Sequence, residues 1–289
     1  MKISVILPAK NEAEGLRRTL PALARVLPEA EIIVVDDGST DETAEVARAA
    51  GARVLSSPYS MGNGAAIKRG ARAAQGDVLV FMDADGQHDP EDIPGLLARL
   101  EAGFDMVVGA RDGAGQANVG RGVANAFYNR LASWITGHAI HDLTSGFRIV
   151  RAAKFREFLH LLPNGFSYPT TITMAFFRSG YPVDYVSVNV GKRIGVASHI
   201  RPFKDGIRFL LIIFKIATLY SPLKLFLPVA MAFFATGFAY YGWTYVTMGR
   251  FTNMSALLLS AGVIVFLIGL ISEQITGLTY LSLRSEREE

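Results

Sequence analysis

The stretch Phe81-Met82-Asp83-Ala84-Asp85-Gly86-Gln87-His88 puts two carboxylates one residue apart directly after an apolar run. Carboxylates at that spacing can grip a hard divalent cation, Mg2+ or Mn2+, which takes one or two such oxygens and fills its other positions with water and substrate phosphate. Solvated loop acids are the competing reading, because Asp-x-Asp alone is common in loops. Gln87 adds a neutral oxygen within reach, and His88 is either a further ligand or an ordinary loop residue.

A second acid cluster is Val34-Val35-Asp36-Asp37-Gly38-Ser39-Thr40-Asp41. An acid at the end of a strand can accept hydrogen bonds from ribose hydroxyls or a base edge. Asp36 or Asp41 could instead cap the helix that follows. Met61-Gly62-Asn63-Gly64-Ala65-Ala66-Ile67-Lys68 is glycine-rich at a helix start, which makes Gly64 a candidate for a phosphate cradle. It lacks the third glycine of a dinucleotide fingerprint and follows no convincing strand, which argues against a Rossmann dehydrogenase.

The elements that position these residues are legible as apolar, β-branched runs alternating with helical spacing. Ile3 to Pro8, Glu31 to Val35, Asp77 to Met82 and Met106 to Gly109 read as buried strands. Glu14 to Val26, Thr43 to Ala50, Ala65 to Ala74 and Pro90 to Ala102 read as helices. That alternation predicts an α/β domain with a mostly parallel sheet, whose ligands gather at the carboxyl ends of the strands.

The chain of 289 residues is 50% hydrophobic, and the excess falls after Arg208. Two runs, Leu223 to Val246 and Met254 to Ile275, are long enough at about 1.5 Å per residue to cross a hydrocarbon core of about 30 Å. Before them Lys204, Arg208 and Lys215 recur at helical offsets on one narrow face, as expected of a helix in the membrane interface; an amphipathic core helix is the alternative. Cations flank the pair of runs, whereas the linker between them carries only Arg250, so the positive-inside rule predicts that both termini are cytoplasmic. Glu273, near the cytoplasmic end of the second run, either snorkels or faces a lipid phosphate. The predicted layout is a catalytic domain over 1–201, an interfacial helix over 202–220, and a two-helix anchor with a short tail over 221–289.

A net charge of +3 does not argue for nucleic acid, and the absence of cysteine excludes disulfides, thiolate nucleophiles and Cys-ligated zinc. The opening run is too short for a signal-peptide core, which leaves the N-terminal part in the cytoplasm.

Together with Ile3-Ser4-Val5-Ile6-Leu7-Pro8-Ala9-Lys10-Asn11-Glu12, these motifs resemble the inverting glycosyltransferases of the GT-A fold. Within that group the chain looks like the dolichyl-phosphate mannose synthases and the undecaprenyl-phosphate sugar transferases. The resemblance implies metal-dependent, inverting transfer of a hexose from a nucleotide-sugar, GDP-mannose or a UDP-sugar, to a polyprenyl or dolichyl phosphate at the inner membrane. It places Pro8, Glu12, Val35, Asp37, Gly64, Asp83 and Ala84 at the nucleotide, and Asp83, Asp85 and Gln87 at Mg2+ or Mn2+. Arg111 and Arg121 would approach the phosphates. In Asp142-Leu143-Thr144-Ser145-Gly146-Phe147-Arg148, Asp142 would orient the acceptor and Arg148 would meet phosphate. Asp85, Arg111, Asp142 and Arg148 are the implied catalytic set. Arg193, with Ser198 where the family's Ser-Lys pair becomes Ser198-His199, would complete the acceptor-phosphate site. A processive polysaccharide synthase and a non-catalytic nucleotide-sugar-binding recruiter are the alternatives, and homo-oligomerisation stays open.

Overall fold

In the computed structural model, which describes residues 1–111, 119–165, 167–191, 214, 217–218 and 221–285, strands alternate with helices from the first residues onward. Residues 119–125 and 279–285 are described by backbone alone. The chain divides into two compact units, Met1–Ser133 with His138–Pro202, and Trp134–Gly137 with Phe203–Glu289.

The first unit runs β1 (Ile3–Ala9), α1 (Ala13–Val26), β2 (Glu31–Asp36), α2 (Thr43–Ala49), β3 (Arg53–Ser56), α3 (Asn63–Ala73) and β4 (Val78–Phe81). It continues with a 3-10 turn (Pro90–Asp92), α4 (Ile93–Glu101), β5 (Met106–Arg111), α5 (Val119–Thr136), β6 (Arg148–Arg151), α6 (Ala152–Arg156), α7 (Tyr168–Arg178) and β7 (Val183–Val188). The strands make one sheet in the order β3-β2-β1-β4-β6-β5-β7. All pairings are parallel except those of β6, which runs antiparallel to both β4 and β5.

That one reversal decides the site. A parallel strand brings its end to the carboxyl edge, whereas reversed β6 brings its beginning there. Asp142 to Arg148, which lead into β6, therefore share an edge with the residues that follow β1, β2, β4 and β5.

The strand runs are apolar because both faces are covered. On one face Val5, Leu7, Val34, Val80, Val107 and Ile149 meet Leu16, Leu20, Ile93 and Leu96 of α1 and α4 in a single buried cluster. On the other face, Phe81 packs on Phe155 with ring centroids 4.6 Å apart, and Ile6 lies directly under Gly70 of α3. Each such side chain, fully buried, contributes about 1.5–3 kcal/mol. β3, β6 and β7 are the strands that the hydrophobic runs did not announce: two span four residues each, and β7 is half-buried along most of its length.

The second unit contains α8 (Pro222–Met248) and α9 (Asn253–Ser285). Both contain the expected spans and are apolar enough to cross a membrane, and only 11% and 17% of their most apolar windows is buried, unlike the core helix of a soluble protein. The helices pack by setting Phe234 against Gly262 and Phe226 against Gly269. Glu273 Oε2 accepts the Leu223 N–H at 3.2 Å, which satisfies one orphan donor of the first turn of α8. The interfacial helix read over 202–220, with Lys204, Arg208 and Lys215, lies outside the described residues apart from short fragments.

Gly15 fixes how closely α1 approaches the acid loop. A Cβ there would stand 2.1 Å from the Ala84 carbonyl oxygen and 3.0 Å from the Asp85 backbone. Gly15→Ala is therefore expected to destabilise the protein by about 1–3 kcal/mol through overpacking. Gly95→Ala, on an exposed turn of α4 with open space around it, should stabilise by about 0.5–1 kcal/mol. Thermal unfolding of the full chain in detergent measures both, and equal melting temperatures for the two variants would contradict the packing assigned to Gly15.

Candidate active site

A cavity of about 440 Å3 opens at the carboxyl edge, lined by Pro8 at the end of β1 and Lys10 and Glu12 after it, Asp37 after β2, Ser60, Gly62, Asn63 and Ala66 around the start of α3, and Asp83, Ala84 and Asp85 after β4. The two acid motifs, distant in sequence, thus face one space.

At one end Asp37 is bound by the loop before α3. Its Oδ1 accepts the Met61 N–H at 2.7 Å, and its Oδ2 accepts the Ser60 hydroxyl at 2.7 Å and the Gly62 N–H at 2.9 Å. Burial pushes its pKa up, but these bonds and the charge of Lys10 outweigh burial and hold it below the usual carboxylate range. Gly62 supports the clamp with a φ of +100°, a conformation glycine adopts without cost.

At the other end Asp83 and Asp85 follow β4. Asp85 is buried and its Oδ1 accepts the Gln87 N–H at 3.2 Å, whereas Asp83 is 40% exposed. The Asp83 carboxylate rests on Gly146, where a Cβ would stand 2.9 Å from Oδ2. Two carboxylates on one cavity with space beside them suit a hard cation that takes its remaining oxygens from substrate and water.

Beside Asp83 stands a bidentate ion pair. Arg111 Nε donates to Asp142 Oδ2 at 2.7 Å, one terminal nitrogen donates to Oδ1 at 3.0 Å, and the same nitrogen donates to Thr144 Oγ1 at 2.5 Å. Asp142 is 8% exposed and Arg111 33% exposed, so the acid is the buried anchor and the guanidinium the reachable end. The hydrogen bonds that Arg111 donates to Asp142 raise its pKa further, and the charge of Asp83 adds to it. Burial raises the pKa of Asp142, yet the bonds and charge of Arg111 outweigh it and the net direction is down. An aligned, half-exposed cation next to an acid pair is suited to hold a phosphate.

Residues 4–159 match the family described as Glycosyl transferase family 2, more than half of the chain. The chain belongs to that family. Residues 221–278 of this family 2 transferase match a second description, the GtrB C-terminal hairpin. It is 36% identical over 151 residues to an undecaprenyl-phosphate 4-deoxy-4-formamido-L-arabinose transferase of Klebsiella pneumoniae, covering 49% of this chain and 46% of that protein. A Pseudomonas fluorescens protein of the same description is 35% identical over 189 residues, 58% of this chain and 55% of the relative. The chain thus spans about half the length of these relatives. Among solved structures it resembles the glucosyl-3-phosphoglycerate synthase of Mycobacterium tuberculosis in complex with Mg2+ and UDP, with a TM-score of 0.59 and 25% identity over 73% of this chain and 79% of that one. A complex of the same synthase with Mn2+, UDP and phosphoglyceric acid gives a TM-score of 0.61 at 23% identity, over 75% and 78% of the two chains. The GT-A fold is thereby shown.

Four expected site residues of this transferase make contacts elsewhere than the acid cavity. Arg148 does not face phosphate: it is fully buried in β6, and its guanidinium donates to the carbonyls of Ser145 and Pro169 and to Thr173 Oγ1. Val35 is also fully buried, packed toward α3 beside Gly70, so its side chain belongs to the core. Gly64 is no open cradle, because its N–H donates to Gly165 O at 3.1 Å and the next amide, Ala65 N–H, to Asn164 O at 2.8 Å. Gln87 turns from the acid cavity to a neighbouring cleft of about 710 Å3, and its side-chain amide donates to Gly191 O at 3.2 Å. The Arg121 side chain, Arg193 and Ser198 lie outside the described residues.

His88 is placed by packing in a way that its sequence position did not disclose. It is 7% exposed, stacked on Phe147 with ring centroids 4.9 Å apart, and its Nε2 is 4.0 Å from Asp83 Oδ2. Burial lowers its pKa to about 4, so it is neutral at pH 7 and adds no charge beside the acids. The only advance signal was its place at the end of the acid motif. Thr144 and Ser60 had no signal beyond standing near recognisable motifs.

Because the folded pKa of Asp142 lies below its unfolded value, the pair's stabilisation is fully present above a pH of about 4 and is lost only as pH falls through the depressed value. Between pH 8 and 5 the Arg111–Asp142 pair should therefore not titrate. Asp142→Asn is expected to cut turnover about 100-fold at every pH in that window by releasing the guanidinium. A wild-type profile with a carboxylate step between pH 5 and 7 that the variant abolishes would contradict this.

Proposed function

We propose that the protein is a membrane-bound glycosyltransferase that moves a sugar from a UDP-sugar to the phosphate of a polyprenyl lipid, with a divalent cation bound by Asp83 and Asp85. The observation that carries the reading is the single cavity with Asp37 at one end, two carboxylates at the other, and the Arg111–Asp142 pair beside them.

The preference for uracil follows from lone pairs. A carboxylate offers about four acceptor sites, and three on Asp37 are taken by Ser60, Met61 and Gly62. One site remains, which suits the single imide N–H of uracil, whereas the guanine edge presents two donors and needs both oxygens. The cation, when bound, offsets the charge that develops on the departing nucleoside diphosphate. Asp83 and Asp85 hold that end of the donor, and Arg111 holds the acceptor phosphate within reach of the anomeric carbon. A phosphate oxygen is already anionic and attacks without a strong base. The new bond from the lipid phosphate's oxygen to the anomeric carbon forms as the bond from that carbon to the nucleotide's phosphate oxygen breaks, which inverts the anomeric centre. Ion binding is supported by the Mg2+ and UDP in the related synthase complex, and the lipid acceptor by the undecaprenyl-phosphate relatives and the matched hairpin. We place α8 and α9 across the inner membrane with both termini cytoplasmic, because Arg201, Lys204, Arg208 and Lys215 precede the apolar runs in the sequence and Lys224 opens the first, Arg284 and Arg287 follow them, and the turn between them carries only Arg250.

The purified full chain, incubated with Mn2+, undecaprenyl phosphate and labelled UDP- and GDP-sugars, should yield a glycolipid from UDP donors. UDP should bind at least about tenfold more tightly than GDP, a difference of about 1.4 kcal/mol. Asp85→Asn should lower turnover at least about 100-fold. Nucleotide binding without glycolipid from any donor would overturn the assignment, and tighter GDP binding would overturn the base preference.

A further inference from the structure

Gly146 is the surface on which Asp83 rests, so whatever fixes the Gly146 peptide fixes that carboxylate. Two buried side chains from beneath the loop hold it. The Tyr168 hydroxyl, at the start of α7, donates to Gly146 O at 3.1 Å, and the Arg148 guanidinium donates to the preceding carbonyl, Ser145 O. Ser145 Oγ ties the same peptide to Gly109 O of β5 at 2.6 Å.

Arg148 is a costly residue for this role. It is fully buried, and among the described residues no carboxylate lies within salt-bridge distance; it meets carbonyls, a hydroxyl, a thioether and the Tyr168 ring, 5.7 Å from the guanidinium carbon. Its neighbours in the ladder, Phe81 and Val108, show what such a position ordinarily holds. An apolar side chain there would avoid burying a charge. Arg148 instead joins three segments: the Asp142–Phe147 loop through Ser145, α7 through Pro169 and Thr173, and β6 itself. Tyr168 joins the loop to α7 a second time. Neither side chain can reach a substrate, since Tyr168 is 1% exposed and Arg148 not at all.

We propose that Tyr168 and Arg148 are positioning residues that set the Asp83 carboxylate for its cation by immobilising the Ser145–Gly146 peptides beneath it. The inference rests on the reading of Asp83 and Asp85 as cation ligands. Removing the Tyr168 hydroxyl frees the Gly146 carbonyl while leaving the ring in the core, so the affinity for the ion should fall more than the affinity for the donor.

The test is direct Mn2+ binding to the full chain in detergent, with UDP present, followed by the paramagnetic resonance signal of free Mn2+. Tyr168→Phe should weaken Mn2+ binding about tenfold and raise the Mn2+ concentration for half-maximal turnover by a similar factor, with the donor KM at saturating Mn2+ changed less than twofold. Tyr181→Phe is the control, because it removes a comparable hydroxyl bond, to Glu157 Oε2 at 2.8 Å, away from the loop; it should leave Mn2+ binding unchanged. Arg148→Lys retains the charge without the fork and should move Mn2+ binding in the same direction as Tyr168→Phe where the variant folds. Wild-type Mn2+ affinity in Tyr168→Phe, or equal losses in Tyr168→Phe and Tyr181→Phe, would overturn the positioning role. Absence of Mn2+ binding by the wild-type chain with UDP would instead remove the cation reading, and the two failures are separated by which protein shows them.

Discussion

Carboxylates crowd the carboxyl edge of this sheet, and the cost of burying their charge is the constraint to which the surrounding loops answer. Asp36, Asp37, Asp41, Asp83, Asp85 and Asp142 all end or follow strands or open the segment before β6. Most of them are held by donors fixed to the backbone: Asp36 by Ser39 N–H, Asp37 by Met61 and Gly62, Asp41 by Thr43 and Ala13, and Asp85 by Gln87. Asp142 has a cation of its own in Arg111. Donors of this kind stabilise the charged form where burial alone would neutralise it. Asp83 differs in being 40% exposed, with its carboxylate against Gly146.

The same economy explains the glycines at close approaches. Gly15 lets α1 press on the Ala84 carbonyl, and Gly146 lets a peptide lie against Asp83 from the opposite side. The acid loop is thus gripped between a helix and a strand entry. Neither grip uses a side chain that could compete for the ion.

The layered α/β fold was legible because its central strands are buried on both faces and therefore read as apolar runs, as in Val5 to Leu7 and Val78 to Met82. Short β3 and β6 and half-buried β7 carry too few residues or too mixed a pattern to stand out. The acids of the site were legible for a related reason: polar residues straight after such runs must lie at the sheet's edge. What the sequence could not disclose was direction. Arg148 follows a motif and carries charge, so a phosphate contact was the natural expectation, but the pleat of β6 turns its side chain into the core under the loop. The direction of the Gly64 amide was hidden similarly, because a glycine at a helix start reads alike whether its amide meets a ligand or, as here, the carbonyl of Gly165. Val35 was assigned through its motif although its apolar neighbours already marked it as core.

The reversal of β6 links these corrections. Had that strand run parallel, Asp142 would lie at the opposite edge, and Arg111 would end β5 with no buried acid to align it. Antiparallel entry brings the loop alongside Arg111 and Asp83 at once, so one segment both orients the cation that awaits a phosphate and supports the acid that awaits a metal. A segment with two such duties tolerates little movement, since a shift that improved one contact would spoil the other. The concentration of buried polar anchors beneath it, Ser145 on Gly109, Arg148 on Ser145 and Tyr168 on Gly146, is what that double duty requires. A core built only from apolar residues would pack as well but would not specify where those two carbonyls point.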